Sequence, residues 1–271
     1  DAIHVTAGHY RSKPTAHRMI PPMTEPDAPF LEFAADVRKS IGVPVIAVGR
    51  LGDPATATAA VASGKCDFIA LGRTLVADPQ WVEKLRRDEP IRRCLACNTC
   101  VDGMRGGAGI SCVVNSAAGR ETSFATPTPP RGERIAVIGA GPAGLTYASL
   151  VADGNTVTVF EKQARAGGAF RHAGKAPMFQ EVGANPQSFE RYIDDMVLSC
   201  RKKGVTFRFE TDAAREPGIL ALFDRVVVAT GAAYPLGLGP LAMWLLDRGV
   251  GRWPVISQLL SMPALRDWFY Y

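Results

Sequence analysis

The glycine turn at residues 139–144 is the sequence feature that most restricts how this chain can fold. Gly139, Gly141 and Gly144 follow an apolar run at residues 135–138 and precede a run of helix-forming residues. In such a turn the first glycine permits a tight bend, the second lets a pyrophosphate approach the backbone, and the third allows close packing of the helix on the strand. The sequence therefore predicts a parallel βαβ unit that binds a dinucleotide at the helix N-terminus.

Glu161 strengthens this interpretation, since it lies 22 positions after Gly139 and directly follows the predicted strand at residues 156–160. A carboxylate there can accept hydrogen bonds from a ribose and would repel a 2′-phosphate. A strand at residues 225–229 ends in Thr230-Gly231, where a dinucleotide could lie, although a plain tight strand exit uses the same small residues. The residues predicted to contact the nucleotide are Gly139, Gly141, Pro142, Ala143, Gly144, Glu161, Lys162, Gly168, Thr230 and Gly231.

Four cysteines form the second chemical motif. Cys94, Cys97, Cys100 and Cys112 have the spacing C-x2-C-x2-C-x11-C, with a glycine-rich stretch before the fourth. Three thiolates within seven residues favour a compact iron–sulfur cluster. A four-cysteine zinc site stays open as an alternative, although zinc ligands more often come as two separated pairs. Disulfides are the weaker interpretation in a chain with no export signal.

The residues around the cysteines lead to two smaller predictions, one for the four-cysteine motif and one for the two remaining cysteines. Arg92, Arg93 and Arg105 flank the cysteine motif, where positive charge would stabilise a reduced cluster unless these are ordinary solvated arginines. Cys66 and Cys200 lie in apolar surroundings, which favours buried and unreactive thiols.

The first 90 residues alternate between strand and helix patterns. Apolar runs predict strands at residues 2–8, 44–49 and 67–72, and helical patterns fall at residues 30–41, 54–63 and 79–87. Continuously apolar strands with crossover helices are typical of buried parallel sheets. Because three such strands leave open edges, the segment is predicted to belong to a larger sheet or barrel.

Composition limits the class of protein. Of the 271 residues, 47% are apolar and 21% charged, values typical of globular proteins, so the sequence excludes wholesale disorder and fibrous structure. A net charge of +5 spread along the chain gives no indication of nucleic-acid binding. No apolar run approaches the roughly 18 residues of a membrane span, and no secretory leader is visible. We therefore expect a cytoplasmic protein, and the first residue, Asp1, suggests a piece of a longer chain.

The order of these parts resembles the trimethylamine dehydrogenase and 2,4-dienoyl-CoA reductase branch of the old yellow enzyme family. The stretches that carry the resemblance are Ala-Val-Gly-Arg at 47–50, Leu-Gly-Arg-Thr-Leu-Val-Ala-Asp-Pro at 71–79, Cys-Leu-Ala-Cys-Asn-Thr-Cys at 94–100 and Cys-Val-Val-Asn at 112–115. Members of this branch are NAD(P)H:flavin oxidoreductases that carry FMN, a four-iron, four-sulfur cluster and a second nucleotide site.

The resemblance implies an α/β chain that begins with the C-terminal part of a TIM-type (β/α)8 barrel, its last three strands. An iron–sulfur cysteine loop and a partial Rossmann-like domain for FAD, ADP or NAD(P) would follow. Gly49, Arg50, Gly72 and Arg73 would bind the FMN phosphate, since loops after the last strands of such barrels often bind phosphate. His9 would be a proton donor near the flavin, with a structural histidine as the alternative.

The predicted domains are the barrel portion at 1–93, the cluster loop at 94–120, a linker at 121–133, the dinucleotide domain at 134–235 and an uninterpreted apolar tail at 236–271. The function implied is an oxidoreductase that uses NAD(P)H, FMN and a 4Fe-4S cluster on a small-molecule substrate, reducing an enoyl compound or demethylating an amine. We expect no nucleic-acid or membrane partner, a possible homo-oligomer, and no turnover by this chain alone. The alternative is a zinc-stabilised nucleotide-binding module without redox activity.

Overall fold

The computed structural model describes residues 1–123, 131–173, 185–232, 248–250, 253–255, 258 and 262. The chain divides into two compact units, Asp1–Ala125 and Thr126–Tyr271, and each is considered by itself. The division falls inside the segment predicted as a linker, whose residues 124–130 lie outside the described part, as do most residues of the predicted tail. Among the described residues, no helix combines the length and apolar character that crossing a membrane requires.

The first unit contains a three-stranded parallel sheet in chain order, formed by β1 (Ile3–Val5), β2 (Val45–Val48) and β3 (Phe68–Ala70). Helices α1 (Leu31–Ser40) and α2 (Pro54–Ala62) make the two crossovers. The start of α2 is defined by its sequence, because Pro54 needs no amide partner at the first turn and Asp53 accepts a hydrogen bond from the Thr56 amide at 3.0 Å. The predicted βα repeats are confirmed, with shorter strands than expected.

One face of this sheet is packed and the other is open. Val45 and Ala47 are fully buried and pack in a core with Ala34, Leu51 and Cys66. Phe68 in β3 is 58% exposed, although the sequence predicted a buried strand there. The apolar pattern predicts neighbours on both faces, and the described residues supply them on one face only.

The region after β3 departs from the predicted single helix. It forms α3 (Arg73–Ala77), α4 (Trp81–Arg86) and, after an extended stretch, α5 (Thr99–Arg105), of which only α4 lies where a helix was predicted. Asp78, 2% exposed, accepts hydrogen bonds from the Gln80 amide, the Lys84 ammonium and the Arg92 amide. This carboxylate therefore joins the end of α3, the helix α4 and the start of the cysteine segment.

The second unit contains four parallel strands in the order β6-β5-β4-β7. Its elements are β4 (Arg134–Ile138), α6 (Pro142–Val151), β5 (Thr156–Phe160), α7 (Pro186–Lys202), β6 (Thr206–Arg208), α8 (Pro217–Leu220) and β7 (Arg225–Val228). The central pair β4 and β5 is flanked on both sides by other strands, and its buried residues include Ile135, Val137, Val157 and Val159. The predicted parallel βαβ arrangement is confirmed.

Helix α7 packs against α6 through buried side chains. Tyr192, Ile193 and Cys200 are buried, and the Cys200 thiol donates a hydrogen bond to the Leu145 carbonyl of α6 at 3.4 Å. Burial raises the pKa of Cys200 to about 11, so it remains a thiol at neutral pH. Cys66 in the first unit is also buried with a raised pKa, mainly through desolvation. Both thiols are buried as the sequence predicted.

Candidate cofactor sites

Arg50 and Arg73 follow neighbouring parallel strands at the same edge of the first sheet. Arg50 comes two residues after β2, and Arg73 is the first residue of α3, three residues after β3. Gly49 and Arg50 both have positive φ, 104° and 49° respectively. A Cβ on Gly49 would also lie 2.7 Å from the Phe30 ring, so this turn requires glycine. The turn directs the Arg50 side chain inward.

The Arg50 guanidinium is buried and only partly satisfied. Its side chain is 8% exposed; Nη1 donates to the Pro22 carbonyl at 3.1 Å and Nη2 to Asp27 Oδ1 at 2.7 Å. Its Nε is buried and has no hydrogen-bond partner in the described part of the chain. A buried N–H without an acceptor costs free energy, and an anionic oxygen would satisfy it.

Arg73 is also held by two acceptors. Nη2 donates to the Pro21 carbonyl at 2.8 Å, and Nη1 donates to Asn98 Oδ1. Burial lowers the pKa of Arg73, while the nearby thiols of Cys94 and Cys100 act in the opposite direction and Arg50 adds repulsion. The guanidinium therefore lies within electrostatic reach of both Arg50 and the cysteine motif.

All four cysteines of the motif line one pocket. The other residues that line it in the described part of the chain are Arg73, Val76, Leu95, Asn98, Val113 and Val114, and among these Arg73 is the one cation. Burial raises the pKa of Cys94 and Cys100, the proximity of Cys112 raises both further, and Arg73 lowers both. The structure thus brings the fourth cysteine, 12 positions after the third, back to the other three.

Within the described residues, no group of three or more His, Cys, Asp or Glu side chains is gathered as ligands of one metal ion are. The four thiols therefore share one pocket without being gathered as the ligands of a single metal ion.

The arginines nearest to the cysteines in sequence have other partners. Arg93 pairs with Asp53, Arg92 donates to the Ala77 carbonyl at 3.3 Å, and Arg105 lies over the Tyr10 ring at 4.6 Å. Arg73, 21 positions before Cys94, is the arginine that lines the pocket. The sequence analysis assigned Arg73 to a phosphate site and missed that it also lines the cysteine pocket. The spacing of residues along the chain does not indicate contacts between segments that are far apart in sequence.

His9 and Gly72 complete the predicted residues of the first unit. His9 is exposed, and its Nδ1 accepts a hydrogen bond from the Arg11 amide at 3.0 Å within a turn after β1. Gly72 precedes α3, and a Cβ added there would meet no heavy atom within 4 Å, so its backbone faces open space. Gly72 is therefore accessible to a ligand at the edge where Arg50 and Arg73 lie.

The glycine turn of the second unit joins β4 to α6. Gly139 has φ 107°, and a Cβ there would lie 2.4 Å from the Ala229 carbonyl oxygen after β7. A Cβ on Gly144 would lie 2.0 Å from the Gly139 carbonyl oxygen, whereas Gly141 meets nothing within 4 Å. Gly139 and Gly144 are therefore required by packing, and Gly141 leaves space at the N-terminus of α6, where Pro142 and the exposed Ala143 begin the helix.

The Glu161 side chain lies beside the glycine turn and holds it by a hydrogen bond. It is 6% exposed; Oε2 accepts from the Ala140 amide and Oε1 from the Gln163 amide, both at 2.9 Å. A carboxylate has about four lone-pair sites, so two of them are left for ribose hydroxyls. The sequence predicted the ribose role and missed the bond to Ala140.

The remaining predicted nucleotide residues surround the same turn. The Gly167 amide donates to the Ala140 carbonyl at 2.8 Å, and Gly168 follows with φ 52° and approaches the Gly141 backbone. Thr230 lies against Gly139 and is exposed, as are Gly231 and Lys162. The structure therefore brings the glycine pair and the end of β7 to the glycine turn, with Lys162 at the exposed rim.

Two family models match this chain, one in each unit. Residues 1–91 match the model of the NADH:flavin oxidoreductase / NADH oxidase family, the segment with the strand-end arginines. Residues 137–185 match the model of an NAD(P)-binding Rossmann-like domain, and this stretch contains the glycine turn and Glu161.

Curated relatives match nearly the whole chain. A probable N-methylproline demethylase of Rhizobium meliloti is 32% identical over 266 residues, covering 95% of this chain and 37% of the relative. A metal reductase of Desulforamulus reducens is 36% identical over 242 residues, covering 86% of this chain and 34% of the relative. The chain thus spans about a third of the length of these relatives.

Among solved structures, the 6-hydroxypseudooxynicotine amine oxidase of Pseudomonas geniculata is similar, with a TM-score of 0.71 and 25% identity. The match covers 85% of this chain and 34% of that protein. The order of the two units is therefore shared with longer proteins.

Proposed function

We propose that this chain is the part of an FMN- and iron–sulfur-containing NAD(P)H:flavin oxidoreductase that carries the cluster and the FMN phosphate site. The observation that carries the proposal is the pocket shared by four cysteines and Arg73, which connects the strand-end arginines to the cysteine motif. In this proposal the three strands are the last part of a TIM-type barrel, and the protein acts in the cytoplasm on a small molecule.

For the flavin, the unsatisfied Nε of Arg50 and the open backbone at Gly72 fit a phosphate. Arg50 and Arg73 would hold it with charge-assisted hydrogen bonds, and Gly49 sets the direction of Arg50. Bound FMN would supply hydride and single-electron chemistry. The role of these residues is to bind and orient it by its phosphate.

For the cluster, Cys94, Cys97, Cys100 and Cys112 would be the thiolate ligands. The buried apolar side chains of Leu95 and Val114 in its wall would limit the access of water on their side of the pocket. A cluster held there would supply one-electron transfer. The chain's part is to keep the four thiols and the Arg73 cation around a single pocket.

For the second nucleotide, the open space at Gly141 and the spare lone pairs of Glu161 fit the pyrophosphate and ribose of FAD or ADP. The N-terminus of α6 directs its free amides towards the same space. His9 is the proposed proton donor, and a place on an exposed turn leaves it accessible to a substrate.

Two reactions are proposed for the whole protein: oxidative demethylation of a small amine and reduction of an enoyl-type substrate. The first is supported by the likeness to a probable N-methylproline demethylase over 95% of this chain. The second follows from the resemblance to the dienoyl-CoA reductase branch.

The test is anaerobic purification of the chain, followed by analysis of iron, acid-labile sulfide and zinc and by a visible spectrum. We expect about four irons and four sulfides per chain with broad visible absorption, as the four-iron class requires. Cys97→Ser should abolish this absorption, whereas Cys200→Ser, at a buried thiol outside the pocket, should leave it unchanged. One zinc per chain without colour would overturn the proposal and favour a zinc-stabilised nucleotide-binding module.

A further inference from the structure

Three consecutive carbonyl groups, at residues 20–22, accept hydrogen bonds from three side chains that come from separate parts of the first unit. The pairs are Asn98 to Ile20 at 3.0 Å, Arg73 to Pro21 at 2.8 Å and Arg50 to Pro22 at 3.1 Å. Because residues 21 and 22 are both prolines with restricted φ, the carbonyls belong to a stiff segment. This segment holds both arginines and the cysteine motif in one arrangement.

Asn98 connects the cysteine motif to Arg73 directly. It stands between Cys97 and the start of α5, with φ 62°, a conformation that asparagine tolerates better than most residues. Its side-chain nitrogen donates to Ile20, and its Oδ1 accepts from Arg73. Both polar ends of the side chain are therefore used, one to fix the loop and one to fix the guanidinium.

The guanidinium of Arg73 is the cation that lines the cysteine pocket, and it interacts with Cys94, Cys97 and Cys100. Three other arginines near the motif are engaged with Asp53, the Ala77 carbonyl or the Tyr10 ring. A partly buried charge is screened less by salt than an exposed one. A fixed cation beside a cluster that gains an electron stabilises the more negative, reduced form.

We propose that Arg73 raises the reduction potential of the cluster and that Asn98 is the positioning residue that keeps Arg73 beside it. The inference rests on the proposed function, because it requires a cluster on the four cysteines. In this inference Arg73 has two roles: it binds the FMN phosphate, and it tunes the cluster on the other side. One side chain would thus contact both sites.

The test is a redox titration of the cluster in the anaerobically purified chain, monitored by electron paramagnetic resonance, for parent, Arg73→Gln and Arg105→Gln. The two variants remove the same charge, one from the pocket wall and one from the Tyr10 ring. We expect Arg73→Gln to shift the equilibrium towards oxidised cluster by at least tenfold, about 59 mV for a one-electron couple. Arg105→Gln should leave the potential unchanged.

Asn98→Gly is the second variant, because glycine accepts the positive φ, and the change removes the Oδ1 acceptor while the Arg73 charge is retained. Asn98→Gly should lower the reduction potential of the cluster by less than Arg73→Gln does. Because Asn98 acts through Arg73, the double variant should have the same potential as Arg73→Gln alone. Iron and sulfide content is measured for each variant, so that loss of the cluster is separated from a change in its potential.

The outcomes separate the two proposals. A parent chain without iron and sulfide overturns the proposed function and this inference with it. A loaded parent whose potential is unaffected by Arg73→Gln and Asn98→Gly, or equally affected by Arg105→Gln, overturns the inference alone. If the Arg73→Gln variant does not bind a cluster, the Asn98→Gly variant decides: a cluster potential equal to that of the parent overturns the inference.

Discussion

A Cβ atom on Gly144 would lie 2.0 Å from the carbonyl oxygen of Gly139, so helix α6 contacts the glycine turn where only a hydrogen atom fits. Gly144→Ala should lower the free energy of unfolding by about 1–3 kcal/mol, because backbone must move. Gly141→Ala is the matched control: with open space and φ −76°, it should change stability by less than about 0.5 kcal/mol and weaken ADP binding. Urea denaturation and calorimetric ADP titration measure both, and equal stabilities would contradict the packing role of Gly144.

The buried carboxylate of Asp78 should be the strongest polar contribution to the stability of the first unit. Asp78→Ala leaves the Lys84 ammonium and the Gln80 and Arg92 amides without their acceptor, which should cost about 3 kcal/mol. Lys84→Met removes the cation while both amides keep Asp78, and it should cost less. Denaturant unfolding followed by circular dichroism checks the order, and a larger loss in Lys84→Met would show that the ion pair dominates.

Glu161 should stabilise the second unit even without a nucleotide. In Glu161→Gln one of the two amide donors, on Ala140 or Gln163, faces an amide NH2 instead of an oxygen, so stability should fall by about 1–2 kcal/mol. Lys162→Gln, at the exposed next residue, should leave stability unchanged. Thermal unfolding in nucleotide-free buffer measures this, and an unaltered melting temperature for Glu161→Gln would contradict the role of its backbone hydrogen bonds.

Asp224 should make the second unit sensitive to acid. Hydrogen bonds from the Arg134 guanidinium at 3.0 Å and from its amide at 2.8 Å lower the pKa of Asp224 to about 2. Because the folded pKa is below the ordinary value near 3.8, the stabilisation is complete above about pH 4 and is lost as the pH falls towards 2. Asp224→Asn should therefore reduce the fall in melting temperature between pH 4 and pH 2.

The matched control for this experiment is Asp153→Asn, whose carboxylate is 81% exposed and lies 3.5 Å from Lys203. It should follow the parent between pH 4 and pH 2. Because both Asp224 and Arg134 are largely exposed to solvent, the loss of stability in Asp224→Asn at neutral pH should be modest, and so should the difference between the two acid profiles. Identical acid profiles for parent and Asp224→Asn would refute the prediction.

The cysteines should differ in their reactivity towards a maleimide in the metal-free chain at pH 7. Cys97 is exposed and should be labelled first, whereas the buried Cys66 and Cys200 should react only after denaturation, because burial raises the pKa of both thiols. Mass spectrometry of tryptic peptides measures the order. Early labelling of Cys200 would show that α7 does not pack on α6 in solution.

The local parts of the fold were predictable because each depends on residues that are close in sequence. The strands β4 and β5 and the glycine turn follow from apolar runs and glycine spacing. Short helices were not predictable in the same way. Helix α5 begins between Cys97 and Cys100, where the sequence indicated a loop, and α3 has five residues, too few to show a helical period.

Sequence by itself determined which residues carry chemistry: four cysteines at close spacing, the Gly139–Gly144 turn with Glu161, and arginines directly after two apolar strands. Only the tertiary structure decided their neighbours. Arg73 meets Asn98, 25 positions later, and Pro21, 52 positions earlier, because the packing of the first unit brings three separate segments to the start of α3. Spacing along a chain limits local geometry, whereas contacts between distant side chains depend on how the whole unit packs, and that packing placed Arg73 beside the thiols.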